Sequence, residues 1–330
     1  MWRVRKNALG FMARRAAGAY SAYMARTSLI LDTDIGTDVD DALALAFAVR
    51  HPDLDLRAVT TVSGDTVRRA RIAKKLLLLA GRDDVEVAAG ERGAVSQPLR
   101  NPEAGHEDAM LGDVATPLML SERDAVTLLL DECAAYRCQV ATVGMQSNVA
   151  AALERDPSFA HDVERLAVMG GVFAPVEFLG ATLPPSIDHN LNVDQPASLL
   201  ALNAGIPTLY VPGDVTMSTW LTASHVDQLR RGDALCCELA RQIDIWTPRL
   251  HRGGRGIIPE HFVALLHDPL TVACLVDRQF VKSEKMSVTV TMHHGHVRTF
   301  IDPVEGHEAE VITSVDAPAF AQFWLETVLG

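Results

Sequence analysis

The sequence predicts an α/β protein: an open, mostly parallel doubly wound sheet flanked by helices, with further strands and a helix at the C-terminal end. Three observations predict it. Short aliphatic or β-branched runs alternate with segments of helical period from residue 29 to residue 211, the pattern of strand–helix units around a parallel sheet. Several of those runs end in polar residues, as expected where the carboxyl ends of parallel strands share a cleft. No linker, internal repeat or low-complexity stretch interrupts the chain, so residues 28–330 read as one domain behind a basic extension, residues 1–27.

Leu29-Ile30-Leu31 is the end of a buried strand, and helical spacing resumes at Leu43, Ala46, Phe47 and Val49. Residues 56–62 form the next strand, ending in Ser63-Gly64-Asp65, and a helix follows from Thr66 to about Ala80. A short strand at 85–89 is closed by Gly90. Residues 91–123, punctuated by Gly and Pro, are a long loop containing His106-Glu107-Asp108, and long loops in compact domains usually serve function. A helix near 124–136 leads to a strand at 139–143, then Gly144-Met145-Gln146-Ser147-Asn148 opens another helix. The strand at 166–169 ends in Gly170-Gly171, and the loop 172–189 ends in Asp188-His189-Asn190. A helix at 197–204 and a strand at 207–211 follow, then two helices within 222–250. Residues 249–256 read as a basic, glycine-rich loop ahead of His267-Asp268-Pro269. Strands at 286–292, 297–301 and 310–314 and a helix at 317–328 close the chain.

Composition narrows the function. The net charge is −12, yet Arg3, Arg5, Lys6, Arg14, Arg15 and Arg26 stand in residues 1–27 with no acid beside them, so the body is more acidic still. Such a body makes a poor nucleic-acid binder, since phosphate contact needs clustered Lys and Arg. No apolar run approaches the roughly 18 residues that span a membrane. Five cysteines, odd in number and without zinc-ligand spacing, read as reduced, mostly buried thiols of a cytoplasmic protein. The basic start reads as an upstream extension of the reading frame, with Met24 a natural start; organelle import is the alternative.

The chemistry concentrates in Asp32-Thr33-Asp34-Ile35-Gly36-Thr37-Asp38-Val39-Asp40-Asp41, five carboxylates in a strand-to-helix loop. Packed so closely they repel one another and raise each other's pKa unless a cation holds them. Oxygen ligands of this kind suit Ca²⁺ or Mg²⁺ rather than zinc. Asp40 and Asp41 alone would be ordinary first-turn acids facing a helix dipole, but that leaves Asp32, Asp34 and Asp38 unexplained. An EF-hand fails, because its sixth and twelfth positions would be Thr37 and Leu43. A haloacid-dehalogenase-type phosphatase also ends a strand in Asp-x-Asp, and stays open at this point. Asp65, Ser147-Asn148, Asp188, Asn190 and Asp268 stand at other strand ends and are expected to converge with the loop.

Taken together, these motifs resemble those of the calcium-dependent nucleoside hydrolases of inosine–uridine-preferring type. The resemblance rests on Asp32 to Gly36 with Asp40-Asp41-Ala42-Leu43, Val62 to Asp65, Gly144 to Asn148, Met169-Gly170-Gly171, Asp188-His189-Asn190 and His267-Asp268-Pro269, and covers about residues 28–325. It implies hydrolysis of the N-glycosidic bond of ribonucleosides to ribose and free base. It implies Ca²⁺ held by Asp34, Asp41, Asp268 and the backbone carbonyl of Ser147, with Asp34 also the base for a calcium-bound water. By the same resemblance Asp40, or Asp38 in its place given the two extra loop residues, holds ribose hydroxyls together with Asp188 and Asn190, Asp65 and Asn148 belong to the substrate side, and His267 lies near the leaving base with His106 on the rim. The family commonly assembles as homodimers or homotetramers. This chain departs from its pattern by two extra residues between Gly36 and Asp41, by Asp65 for Asn, Ser147 for Thr, and Thr182 for an Asn that contacts the ribose 5′ side. Besides the phosphatase, a protein that binds nucleosides or ribosyl compounds without turnover is the competing reading.

Overall fold

A computed structural model describes residues 26–93, 105–254 and 257–330. Residues 1–25 of the basic extension lie outside the described residues, as does part of the long loop. The strands are β1 (Thr27–Thr33), β2 (Leu54–Thr61), β3 (Glu86–Ala89), β4 (Gln139–Thr142), β5 (Arg165–Met169), β6 (Val176–Phe178), β7 (Ala181–Leu183), β8 (Thr208–Val211), β9 (Trp220–Thr222), β10 (Phe262–Leu265), β11 (Val281–His293), β12 (His296–Ile301) and β13 (His307–Val315). The main sheet has the order β12-β11-β13-β8-β5-β4-β1-β2-β3. Neighbours from β13 through β3 run parallel, while β11 lies antiparallel between β13 and β12.

The sheet is covered on both faces, and alternation within each strand divides the core. Leu29 and Leu31 of β1 point to one layer, with the helices Asp40–Arg50, Thr66–Leu79, His267–Ala273 and Ala317–Leu329. Ile30 points to the other, with the helices Ala125–Tyr136, Ser147–Arg155 and Gln195–Leu202. Burying one such side chain stabilises by roughly 1.5–3 kcal/mol. A one-residue slip of β1 would turn all three the wrong way, which fixes its register.

Chain order reverses at β1. The strands β2 and β3 continue to one side of it, and β4, β5 and β8 to the other. The crevice at the carboxyl ends of β1 and β4 is therefore the topological switch point, where open α/β sheets take their ligands. The helix Asp40–Arg50 starts there and is buried from Asp40 to Ala48, wedged between the sheet and the helix His267–Ala273. The C-terminal helix Ala317–Leu329 closes over it, and the Trp324 indole Nε1 donates to Leu43 O at 3.1 Å.

Where structure and sequence reading differ, local causes are visible. The loop 172–189 contains the hairpin β6–β7, whose three-residue strands are mostly exposed and show no apolar alternation. The expected loop from Arg249 is instead the last turn of the helix Ala234–Gly253, which runs through Pro248. Thr247 Oγ1 donates to Ile243 O at 2.7 Å just before the proline, supporting the backbone there. His106 caps a short helix, Glu107–Leu111, inside the long loop. Among the described residues no helix is long and apolar enough to cross a membrane.

Candidate active site

The acid-rich loop after β1 is held open by a single buried cation. Arg69, on the helix Thr66–Leu79, donates through Nε to Ser63 O at 2.7 Å. Its remaining nitrogens donate to Asp34 O, to Ile35 O at 2.9 Å and to Thr37 Oγ1 at 3.0 Å. The guanidinium thus braces the loop's backbone, and its charge also reaches Asp38 and Asp41. Gly36 turns the loop at φ +112°, and a Cβ there would meet Ile72 Cδ1 at 2.6 Å, so glycine is needed for both reasons. Gly144, past β4, matters by its size: a Cβ would stand 2.9 Å from Asp34 Oδ1. Its absence lets the ends of β1 and β4 close on each other.

Two buried helices then aim their first turns at the same point. Asp40 and Asp41 open the helix Asp40–Arg50, and Asp268 lies in the first turn of His267–Ala273. One carboxylate oxygen from each of the three lies within 4.8 Å of the others, and all three residues are buried. Thr33 Oγ1 donates to Asp41 Oδ1 and receives Ile35 N at 3.1 Å. Burial first, then the charge of neighbouring carboxylates, pushes Asp40, Asp41 and Asp268 well above the ordinary range. Burial and the charge of Asp34 likewise raise Asp38 to about 6. The helix dipoles favour negative charge here but supply only partial charges. The donor set, all carboxylate oxygen and crowded beyond what the helix ends offset, fits a hard divalent cation.

These residues line a cavity of about 540 Å³. Asp34, Asp40, Asp41, Asp188, Asn190, His267 and Asp268 all face it, so the crevice brings together seven of the eleven residues given site roles in the sequence, with Asp38 beside them. Asp188 caps the helix His189–Val193 by accepting from Leu191 N at 2.8 Å, and burial raises it to about 6. Asn190 Nδ2 donates to Val143 O at 2.8 Å and Met169 O at 3.1 Å, which presents its other amide atom, Oδ1, as an acceptor for the cavity. His267 Nδ1 lies 2.6 Å from Thr216 Oγ1, and burial pushes the imidazole down to about 4.

Four expected site residues stand off the cavity wall. Asp65 accepts from Arg68 N at 3.0 Å, caps the helix Thr66–Leu79 and does not line the cavity. Asn148, fully buried, is spent on the scaffold: Nδ2 donates to Asp32 Oδ1 at 2.7 Å and to Thr61 O at 3.2 Å, and Oδ1 accepts from Glu91 N at 2.8 Å. The Ser147 hydroxyl turns to Asp194 Oδ2 at 2.6 Å, which leaves its carbonyl as the group of interest. His106 reaches the wall at one remove, through Thr37 O at 2.6 Å, with its ring against Trp246. Asp32 is also scaffold. It is wholly buried beside Thr60 and Asn148, and burial raises it to about 7.

Sequence reasoning missed the apolar half of the wall. Val172, Val176, Leu183, Ile187 and Met217 line the same cavity as the acids. They come from irregular segments and a hairpin, where no periodicity marks an inward face. His189, between two chosen residues, also lines the cavity and was passed over.

The family profile described as inosine-uridine preferring nucleoside hydrolase matches residues 29–322. A probable uridine nucleosidase of Oryza sativa subsp. japonica is 27% identical over 281 residues, covering 80% of this chain and 81% of the relative. A pyrimidine-specific ribonucleoside hydrolase of Enterobacter sp. (strain 638) is 30% identical over 257 residues, 75% of this chain and 78% of the relative. Among solved structures, a purine-preferring ribonucleoside hydrolase from Gardnerella vaginalis has a TM-score of 0.79 at 25% identity, over 92% of this chain and 98% of the other. A plant nucleoside hydrolase has a TM-score of 0.78 at 24% identity, over 92% and 99%, a likeness of fold. The match sets aside the phosphatase and pure-binding readings. The chain thus belongs to the inosine-uridine preferring nucleoside hydrolase family, N-glycosyl hydrolases that split ribonucleosides into ribose and free base.

Proposed function

We propose that this hydrolase works with Ca²⁺ held by Asp34, Asp41, Asp268 and the Ser147 carbonyl, with Asp40 on the sugar-facing side. The observation that carries the reading is the meeting of Asp40, Asp41 and Asp268 at two converging helix ends, in the cavity that Asp34 also lines. A divalent ion bound there supplies fixed positive charge that orders oxygen ligands and relieves the repulsion among the acids. Asp34 is the carboxylate that takes the proton from the attacking water, a role typically worth roughly 10²–10⁴-fold.

Cleavage of an N-glycosidic bond passes through an oxocarbenium-like sugar, as other glycoside hydrolysis does. Carboxylates buried around the ring stabilise that charge more strongly than they would in water. Asp40 and Asp188 accept hydrogen bonds from ribose hydroxyls, as does Asn190 through Oδ1. The leaving base departs past His267. Burial keeps that imidazole neutral near pH 7, so it assists by a hydrogen bond and not as a stored proton. In the tautomer whose Nδ1 accepts from the Thr216 hydroxyl, Nε2–H is the donor. Two of the similar proteins named above, one pyrimidine-specific and one purine-preferring, differ in base preference by their own names, and the apolar wall is where this chain's preference is expected to be set.

The test is rate against Ca²⁺ concentration, with released base measured over a panel of ribonucleosides. Asp41→Asn should shift the curve to higher Ca²⁺, and excess metal should restore part of the rate. Asp34→Asn should remain roughly 10²–10⁴-fold slow at saturating metal, because the base is gone too. Full activity in chelator, with no bound metal by elemental analysis, would sink the mechanism.

A further inference from the structure

The helix His189–Val193 carries Asn190 and is capped by Asp188, yet five residues are too few to hold a helix by its own bonds. It is gripped from two sides by two amides. On one side Asn190 Nδ2 binds Val143 O and Met169 O, at the ends of β4 and β5. Two residues on, about 200° round the helix, Asn192 turns to β12. Its Nδ2 donates to Val297 O at 3.0 Å and to Asp188 O at 2.9 Å. Its Oδ1 accepts from Val297 N at 2.9 Å and from Gln195 Nε2 at 3.1 Å. Both donors and both lone pairs of the amide are used.

Asn192 therefore pairs with Val297 as a neighbouring strand would, exchanging one donor and one acceptor with a single edge residue. The same seam continues on either side. Gln195 Nε2 donates to Gly295 O at 3.0 Å, and Thr299 Oγ1 receives Val172 N at 3.1 Å. Val172 lines the cavity, as do Asp188 and Asn190.

We propose that Asn192 is a positioning residue for hydrolysis: paired with Val297 on β12, it holds Asp188 and Asn190 at the sugar. The antiparallel arm β11–β12 is on this view part of the active-site framework, although none of its residues faces the cavity. The inference rests on the reading above that Asn190 touches the substrate. A misplacement of about 1 Å can cost up to roughly 10²-fold in rate, and cutting this tie leaves the helix held on one side only.

The test is a mutant cycle in kcat/KM on a ribonucleoside, with melting temperature and the Ca²⁺ midpoint measured for each variant. Asn192→Ala should lower kcat/KM about tenfold, the size of one or two lost hydrogen bonds. In an Asn190→Ala background the same change should cost clearly less than in the wild type, because one of the two contacts it positions, with Asp188 the other, is already gone. The Ca²⁺ midpoint should stay unchanged, since the acid cluster sits on other elements. Gln195→Ala, a milder cut of the same seam, should give a smaller loss with the same non-additivity and decides the matter if Asn192→Ala does not fold. Full additivity, a parallel shift of the Ca²⁺ midpoint, or unchanged kcat/KM would overturn the positioning role. If Asn190→Ala itself leaves kcat/KM intact, the sugar-binding reading fails first and this inference falls with it.

Discussion

Glu310, on β13, and the aspartates of the cavity are all carboxylates drawn partly or wholly out of water, and their surroundings push them in opposite directions. Burial alone would raise Glu310. The Ser283 hydroxyl at 2.7 Å, Arg278 Nη1 at 2.7 Å and Arg165 Nη1 at 2.8 Å more than offset it and bring the carboxyl down to about 2. Among the described residues, no Arg or Lys lines the cavity. Asp40, Asp41 and Asp268 are pushed up by burial first, and their carboxylate neighbours push them further the same way. The chain thus neutralises a structural acid with its own guanidinium groups, and leaves the acids of the crevice to a cation from outside.

Removing a charge from each cluster should therefore change stability with opposite signs. Asp268→Asn is expected to cost at least the order of 10²-fold in turnover, the size of a lost transition-state electrostatic contact. The same change should raise the melting temperature in chelator by a few degrees, because it relieves repulsion that the helix ends and Arg69 offset only in part. A lower melting temperature in chelator would mean that the cluster is stabilising without metal, and would erase the contrast.

A smaller effect should appear as pH dependence. Asp32 at about 7, Asp38 and Asp188 at about 6, and the clustered acids above their usual range all bind protons more tightly folded than unfolded. The folded state then holds more protons between about pH 4 and 7, so stability in chelator should fall as pH rises through that window. On the proposed reading, Ca²⁺ at saturation would bind the folded chain and favour ionised ligands, so it should flatten the slope. Melting curves at pH 5 and 7.5, with and without Ca²⁺, measure it.

The smallest effect belongs to Glu310→Gln. It should cost about 1 kcal/mol at pH 7, given partly exposed partners, and leave kcat/KM unchanged. For Glu310 the sign is reversed, because its folded pKa is depressed. Its contribution is full above about pH 4.5 and disappears as pH falls toward 2, so urea titrations of wild type and variant should converge in acid.

The same contrast explains what could be read from the residues. The parallel strands were legible because burial on both faces forces continuous apolar runs, as in Leu29-Ile30-Leu31. The acid loop was legible because five carboxylates in ten residues have few structural explanations. Asp65 and Asn148 were ambiguous in sequence, because a carboxylate or amide at a strand end looks the same whether it faces a ligand or completes a helix cap and a buried network. Asn192 was invisible, since its partner Val297 lies 105 residues away. The hairpin β6–β7 and the strands β9 and β10 are three or four residues long, too short for a period to show.

The indole of Trp324 on Leu43 O gives the molecule a temporal order. The helix that carries Asp40 and Asp41 is pinned by a residue 281 positions later in the chain, and Asp268 itself comes 227 positions after Asp41. Contacts of such long separation form late, after loop closure over most of the chain. A ribosome-bound chain can assemble β1 to β5 and still lack both the third acid and the helix that closes over the first two. Metal uptake should therefore be one of the last events of biogenesis, and the nascent chain should be without hydrolytic activity until the C-terminal helix has docked.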